Sequence, residues 1–593
     1  MNPPPPYLLF DDARAGAATA RLYQNPAEVV VAWQLDEVRP ALARVRAGLA
    51  EGRHAAGWLA YEAGHAFDPA LAASFRRPGA PLLWFGLFDG WEAVTPDQLP
   101  SGDGAHLSLP VARIDRADYL AAVATVHEAL YAGDYYQANL TFQNDLVAVG
   151  SPLAVHARLR GQSAAGWGGV VAMGGSAGDR WIVSESPEQF FTIRGRTVEA
   201  RPMKGTAPRR ADPDSDAAEA AALAADDKQR AENLMIVDLM RNDLARVAVP
   251  GSVAVPDLFA VETYPTVHQL VSRIVATLAE GVDAVAVLET IFPCGSVIGA
   301  PKIAAIEALR RLEPEPRGAY TGSLGWIEPP GADGAHIRPG DAAFNVMIRS
   351  ITGRHGSAAA RLGLGSGLVV DSVARDEWAE CRIKGEFVTA GQAQFDLIET
   401  MRFDPHDGIV ALDRHLDRLG TAADDLGFAF DRHAARNELQ AATFARGDAA
   451  MVRLLLARSG VMAIEVKPFD ERLDPPVGVS IAPLPVASDD FRLRYKTTDR
   501  RFYDEARRAN PGWETVFVDS LGRVTEGSRT SIFVERGGVL VTPPLALGII
   551  PGVLRGLLID EGKAVEGELT PADLADGFLV GNSARGLIEA RLL

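Results

Sequence analysis

Short runs of β-branched and aromatic residues at 29–33 and 82–87 flank one stretch with helical spacing at 38–49. Such alternation predicts a mixed α/β chain. Residues 100–110, with Ser-Gly-Asp-Gly inside, read as a surface loop. Beyond it Tyr119, Leu120, Val123, Val126 and Leu130 recur at helical spacing, with Asp115 placed to cap the helix. Gly133 ends that helix, and 135–142 follow as a strand with Gln137 and Asn139 on one face. Residues 184–191 are strand-like but hold Pro187, which predicts an edge or a bend. The alanine- and acid-rich stretch 211–227 predicts a solvated helix with no assigned function.

One stretch breaks the ordinary pattern. Lys204 sits in a tight turn, Pro-Met-Lys-Gly-Thr, and 28 residues later a helix-like run carries Glu232, Asp238, Arg241 and Asp243 among Leu234, Met235, Ile236 and Val237. Charges mixed this closely with apolar residues predict a helix lining an interior polar site, where charges must be paired or bound to a ligand or metal.

The chain has 593 residues and net charge −18. That length predicts at least two domains, and the acidity argues against a broad basic surface for nucleic acid. Cys294 and Cys381 fit no metal-ligand spacing and no disulfide framework. Without a signal-peptide pattern or a run of about 18 apolar residues, a cytoplasmic protein with no membrane partner is expected.

Several motifs in one order carry a resemblance over about 111–388: the Lys204 turn, 261–274 with His268, Phe-Pro-Cys-Gly-Ser-Val-Ile-Gly-Ala-Pro-Lys at 292–302, 317–327, 344–350, 363–372 and 376–385. The region resembles the chorismate-utilising enzymes, which include anthranilate, aminodeoxychorismate, isochorismate and salicylate synthases. A lysine at 204 is similar to the aminodeoxychorismate branch; anthranilate synthases usually have alanine there. The resemblance implies an α/β (α+β) sandwich of antiparallel sheets with the site between them. It also implies Lys204 as nucleophile at C2 of chorismate, His268 assisting departure of the C4 hydroxyl, and ammonia replacing it. Tyr320, Arg349 and Lys384 would bind substrate; a guanidinium suits a carboxylate. Glu232, Glu377 and Glu380 would hold Mg²⁺, although Glu377 and Glu380 alone read as a solvated acidic face. The family's usual threonine and asparagine are replaced by Ile298 and Ile383.

Residues 389–394 read as a linker, with 1–110 the N-terminal part of the first module and 111–388 its catalytic domain. From 395 to 593 the motifs at 409–428, 495–506, 522–533, 542–555 and 578–587 resemble the fold-type IV pyridoxal-phosphate enzymes, among them aminodeoxychorismate lyase and two aminotransferases. The resemblance implies Lys496 as the cofactor lysine and Glu526 at the pyridine nitrogen. It places Arg418 and the turn of Gly552, Val553 and Leu554 at the phosphate. Asp499, Thr530 and Ser531 depart from the family pattern, and the segment before Phe395 is short. The two resemblances together imply synthesis of 4-aminobenzoate and pyruvate from chorismate. Neither cysteine suits a glutaminase, so a separate glutaminase subunit or free ammonia is expected, with a homodimer through the C-terminal region among the assemblies allowed. The alternatives are an anthranilate or isochorismate synthase joined to an aminotransferase, and a synthase with a non-catalytic C-terminal docking module.

Overall fold

The computed structural model describes residues 3–14, 16–17, 19–264, 267–333, 336–470 and 473–593. Pro265 and Thr266 of the His268 motif lie outside them. The chain forms two compact units: Met1–Gly102, Leu109–Leu146 and Pro152–Ala390 in the first; Asp103–Ser108, Val147–Ser151 and Gly391–Leu593 in the second.

In the first unit the expected helix runs Val38–Ala50, between strands Glu28–Ala32 and Leu83–Phe88. The helix Arg116–Ala132 starts after Asp115, whose side chain makes no capping bond; Gly133, at φ 81°, closes it. Two antiparallel sheets face each other. The main path of one runs Gly299–Ala300, Gln137–Val149, Ala359–Leu368, Ser350–Arg354, Arg180–Ser186, Trp167–Ala172, Tyr7–Asp11, Ala20–Gln24 and Glu92–Val94. The other is ten-stranded and includes Met203–Pro208, Val267–Thr277, Gln189–Arg194 and Ala342–Asn345. Their inner faces share one core: Val171 and Ile182 from the first, Phe191, Phe344, Trp58 and Trp84 from the second. Facing apolar sheets with polar outer positions are the arrangement that buries one side of each strand.

Two segments that each read as one strand in the sequence are divided between the sheets. Arg180–Ser186 belongs to one and Gln189–Arg194 to the other, so the chain changes sheets at Pro187 and Glu188. Proline cannot donate to a ladder, which suits it to that crossing. Likewise Ala342–Asn345 and Ser350–Arg354 lie in different sheets, with the crossing at 346–349. The crossings run side by side: Val346 N–H donates to Glu188 O at 3.1 Å and Glu185 N–H to Arg349 O at 3.0 Å.

The second unit has a four-stranded sheet, ordered Gly408–Ile409, Leu397–Asp404, Ala450–Leu456 and Met462–Pro468. On Ala450–Leu456 every second residue is buried, including Val452 and Leu454, as a one-sided sheet requires. An eight-stranded sheet contains Val477–Pro483, Glu514–Val518, Val524–Gly527 and Ser531–Arg536. Two short stretches from earlier in the chain, 103–108 and 147–151, pack with this unit. No helix among the described residues is long and apolar enough to cross a membrane.

Candidate active sites

In the first unit Lys204 projects from the strand Met203–Pro208 of one sheet toward Gly367 of the other. A Cβ added to Gly367 would stand 3.2 Å from Lys204 Nζ and 2.6 Å from Gln137 Nε2. A side chain at that point of the strand Ala359–Leu368 would displace the ends of both. Burial lowers the proton affinity of Lys204, with Glu188 opposing the change, Lys384 adding to it and Glu232 and Glu380 opposing it again. Glu188, which the sequence reading passed over, is 5% exposed. It accepts a hydrogen bond from Ser296 Oγ at 2.6 Å, and burial raises its proton affinity. A carboxyl after a bend proline and before Phe190 and Phe191 was the available signal. Gln137 Oε1 is buried without a hydrogen-bond partner. Gln137 Nε2 thus borders Gly367 together with Lys204 Nζ.

Arg349 stands at the second crossing with φ +49°, an unusual conformation for a side-chain-bearing residue. Burial lowers its proton affinity, opposed by Tyr264 and Glu185. Among the described residues no carboxylate forms an ion pair with its guanidinium, and a largely desolvated cation so placed suits an anionic ligand. The Tyr320 ring covers Gly363, where an added Cβ would meet Tyr320 Cγ at 2.1 Å.

Arg317 crosslinks the walls of this site. It pairs with Glu313 through Nε at 3.0 Å and a terminal nitrogen at 2.7 Å. It also donates to Val297 O at 2.8 Å and Asn139 O at 2.7 Å. Glu62, in the 57–69 segment, accepts the Arg317 N–H at 2.7 Å, and burial raises its carboxyl to about 7.

His268 is 2% exposed. Its Nε2 meets Asp216 Oδ1 at 3.0 Å and its Nδ1 meets Thr263 Oγ1 at 3.1 Å. Both ring nitrogens are engaged, leaving neither for a substrate hydroxyl in this arrangement. Asp216 comes from the helix Pro213–Ala225, so the solvated helix to which the sequence assigned no function anchors His268.

The helix Asp227–Ala245 does not line a site along its whole length, contrary to the sequence expectation. Asp238 and Arg241 pair with each other in solvent, their side chains 60% and 50% exposed. Asp243 is buried on Lys302 Nζ at 2.6 Å. Glu232 has its proton affinity raised by burial, lowered by Lys204 and Lys228, and raised again by Glu377 and Glu380. The three glutamates therefore feel one another. They are not drawn into a ready ligand cluster, since no three carboxylate, imidazole or thiol groups among the described residues converge on a metal position. Glu380 is instead paired with Lys384 at 2.6 Å, and Lys384 also donates to Gly365 O at 3.1 Å. Ile298 packs into an apolar cluster with Tyr61 and Ile306, and Ile383 is exposed on its helix.

In the second unit Lys496 faces a cavity of about 380 Å³ lined also by Ile398, Glu399, Arg418, Tyr495, Pro551, Gly552 and Val553. Its carbonyl accepts from Ile398 N at 2.9 Å, tying the loop to the small sheet. Burial lowers Lys496 to about 7; Glu399 opposes that, and Arg418, Arg500 and Arg453 reinforce it. Arg418 forks onto Glu399 at 2.8 and 2.6 Å, and His415 Nδ1 meets the same carboxylate at 2.6 Å. Arg418 also donates to Pro551 O at 3.2 Å, beside the turn that opens the helix Val553–Asp560. Helix-opening N–H groups lack intrahelical partners and suit an anion. A Cβ on Gly552 would meet Ser531 Oγ at 2.5 Å, so Ser531, one of the departures, closes on that turn. Thr530 Oγ1 is bonded to Glu514 at 2.9 Å, and Asp499 lies 3.6 Å from Arg492. Glu526 is 6% exposed, and burial raises its carboxyl to about 8.

Residues 91–390 match the family described as chorismate binding enzyme, and 396–593 match amino-transferase class IV. The aminodeoxychorismate synthase component 1 of Salmonella typhimurium is 39% identical over 316 residues, 53% of this chain and 66% of that protein. The anthranilate synthase component 1 of Streptomyces coelicolor is 37% identical over 311 residues, 52% of this chain and 56% of that protein. This chain thus spans less than two thirds of the length of these curated relatives. The crystal structure of anthranilate synthase component I from Streptococcus pneumoniae superposes with a TM-score of 0.52 at 21% identity, covering 66% of this chain and 93% of that one, which establishes the fold. The chain therefore belongs to the chorismate binding enzyme family, with an amino-transferase class IV segment following at 396–593.

Proposed function

We propose that the chain makes 4-aminobenzoate in two steps: amination of chorismate to 4-amino-4-deoxychorismate with loss of water, then elimination of pyruvate. The observation that carries this is Lys204, desolvated between the sheets against Gly367 and beside Glu188. A lysine whose proton affinity is lowered is available as an amine nucleophile. Its nitrogen attacks C2 and the ring double bonds shift. The C4–O bond breaks as Glu188, whose burial favours its acid form, gives its proton to the departing hydroxyl. Ammonia adds at C4, the C2–N bond breaks, and the surplus proton returns to Glu188. We assign the proton donation to Glu188 in place of His268, because both nitrogens of His268 are occupied. Arg349 takes the enolpyruvyl carboxylate, with Tyr320 beside it, and Lys384 serves the same anion. Mg²⁺ would be held by Glu232, Glu377 and Glu380, and their mutual repulsion at Glu232 supports a cation there. When bound it would neutralise substrate carboxylate charge.

For the second step the cavity fits pyridoxal phosphate: a lysine at about 7, an arginine beside it and a helix-opening turn at Gly552 and Val553 line the same space. When bound, the cofactor supplies an electron sink for the carbon bearing the amine. Lys496 would hold it and then take the C4 proton. Glu526 would face its ring nitrogen. Gly552, Val553 and Leu554 would offer N–H groups to the phosphate, with Arg418 alongside. Aromatisation drives pyruvate out.

The ammonia is expected from a separate glutaminase subunit, since Cys294 and Cys381 are both buried and burial raises both thiols. The reading in which the second region only docks or stabilises draws on Arg418, whose fork is already taken by Glu399. One incubation decides: purified chain, chorismate, Mg²⁺, ammonia and pyridoxal phosphate, with the aromatic products resolved. Equimolar 4-aminobenzoate and pyruvate are expected. Aminodeoxychorismate accumulating alone leaves the docking reading, and anthranilate overturns the role of Lys204.

A further inference from the structure

The assignment of Glu526 to the cofactor's ring nitrogen leaves a physical problem, and this inference rests on that assignment. Such a residue is useful as an anion, yet Glu526 is 6% exposed in a place that favours its neutral form. The structure supplies a compensating group. The Tyr503 hydroxyl donates to Glu526 Oε1, and Ile550 N–H donates to Oε2 at 3.2 Å. A carboxylate has about four acceptor positions, so roughly two remain for a ligand.

Tyr503 is fixed for this task. It lies on the helix Arg501–Ala509, is 1% exposed, and packs its ring against Phe502 and Phe517 at centroid distances of 4.4 and 5.4 Å. Burial pushes the phenol well above its ordinary range, which keeps on the oxygen the proton that it donates to Glu526. The other charges acting on Glu526 are Arg500, which favours its anion, and Glu514, which disfavours it. Both are committed elsewhere. Arg500 donates to Ser528 O, and Glu514 accepts from Thr515 N, Ser528 N and Oγ, Arg529 N and Thr530 Oγ1. Tyr503 is left as the side chain in direct contact with the Glu526 carboxylate.

We propose that Tyr503 is a positioning residue of the second site: its hydroxyl, donating to Oε1, favours the anion of Glu526 and holds the carboxylate oriented toward the ring nitrogen of the pyridine cofactor. The loss of one charge-assisted hydrogen bond then reaches the cofactor through Glu526 alone.

The test is a double-mutant cycle on pyridoxal phosphate affinity, measured by titrating the cofactor-free full chain. Tyr503→Phe is expected to weaken binding about tenfold in the wild-type background. In the Glu526→Gln background the same change is expected to alter it less than twofold. An equal loss in both backgrounds makes Tyr503 a packing residue and overturns the proposal while leaving Glu526 in place. Glu526→Gln with unchanged affinity and unchanged visible spectrum overturns the assignment of Glu526 itself. A fluorinated tyrosine at 503 preserves the fold should the phenylalanine variant not. As a stronger donor it is expected to lower the pH at which the Glu526 carboxyl titrates, followed by carbon-13 NMR of the cofactor-free protein against Glu526→Gln. A midpoint that does not move overturns the proposal.

Discussion

Lys204 and Lys496 are the same side chain in opposite company. Desolvation lowers the proton affinity of both. Around Lys204 the charges that act most are the carboxylates Glu188, Glu232 and Glu380, opposed by Lys384. Around Lys496 the charges that act most are Arg418, Arg500 and Arg453, opposed by the Glu399 carboxylate. Desolvation, with these arginines reinforcing it against Glu399, brings Lys496 to about 7. Carboxylates around an amine keep it closer to its charged form and provide proton donors and metal ligands. Arginines around an amine empty it of its proton and leave positive potential for an anion. Burial makes a lysine reactive, and the surrounding charges decide for which partner.

The comparison breaks most directly at Lys496. Lys496→Ala is expected to abolish both the visible absorption of bound pyridoxal phosphate and release of 4-aminobenzoate, while aminodeoxychorismate still forms. Retained absorption would falsify the role given to this lysine. Glu188→Gln should do the reverse, lowering amination by about 10²- to 10⁴-fold, the usual worth of a general acid. Chromatography of reactions supplied with aminodeoxychorismate would show an unaffected second step. Gly367→Ala places a methyl group against Gln137 and Lys204. Amination should fall by about 10²-fold, as small displacements of reacting groups can do. A variant with full amination rates would mean that the Lys204 chain lies elsewhere.

A subtler difference is thermodynamic. Between pH 7 and about 10.5 the unfolded chain keeps a proton on Lys496 that the folded chain has released, so folding becomes more favourable as pH rises through that window. Lys496→Met removes this penalty. It should raise the Tm of the cofactor-free protein at pH 7 by roughly 5 °C, with the gain gone by pH 10.5; calorimetry at the two pH values checks it. The smallest effect belongs to Asp238→Ala. Its pair with Arg241 is exposed, so stability should change by at most about 0.5 kcal/mol with no loss of amination. A large effect there would restore that helix face to the site.

Much of this was legible before any coordinates. The helix at 116–132, the strands near 28 and 83, and the order of motifs that places Lys204 and Lys496 in separate regions follow from local periodicity and residue type. Arg349 could be marked because a guanidinium in an apolar run needs an anion. Glu188 was missed because one strand-like run gives no sign that the chain leaves one sheet for another within it. Asp216 was missed because an acidic helix looks the same whether its carboxylates meet water or a buried histidine. The full polar role claimed for the helix Asp227–Ala245 was too broad, since spacing alone does not say which turns face inward.

The sequence by itself determined the elements, their order, the two regions and the residue types able to do chemistry, because these depend on neighbours a few positions apart. Only the tertiary structure decided which groups meet. Whether Glu188 stands beside Lys204, whether His268 has a free nitrogen, and whether Tyr503 reaches Glu526 depend on sheet crossings and helix packing that join residues distant in the chain. Those contacts set the local dielectric and the charge partners, and thereby what each side chain can do.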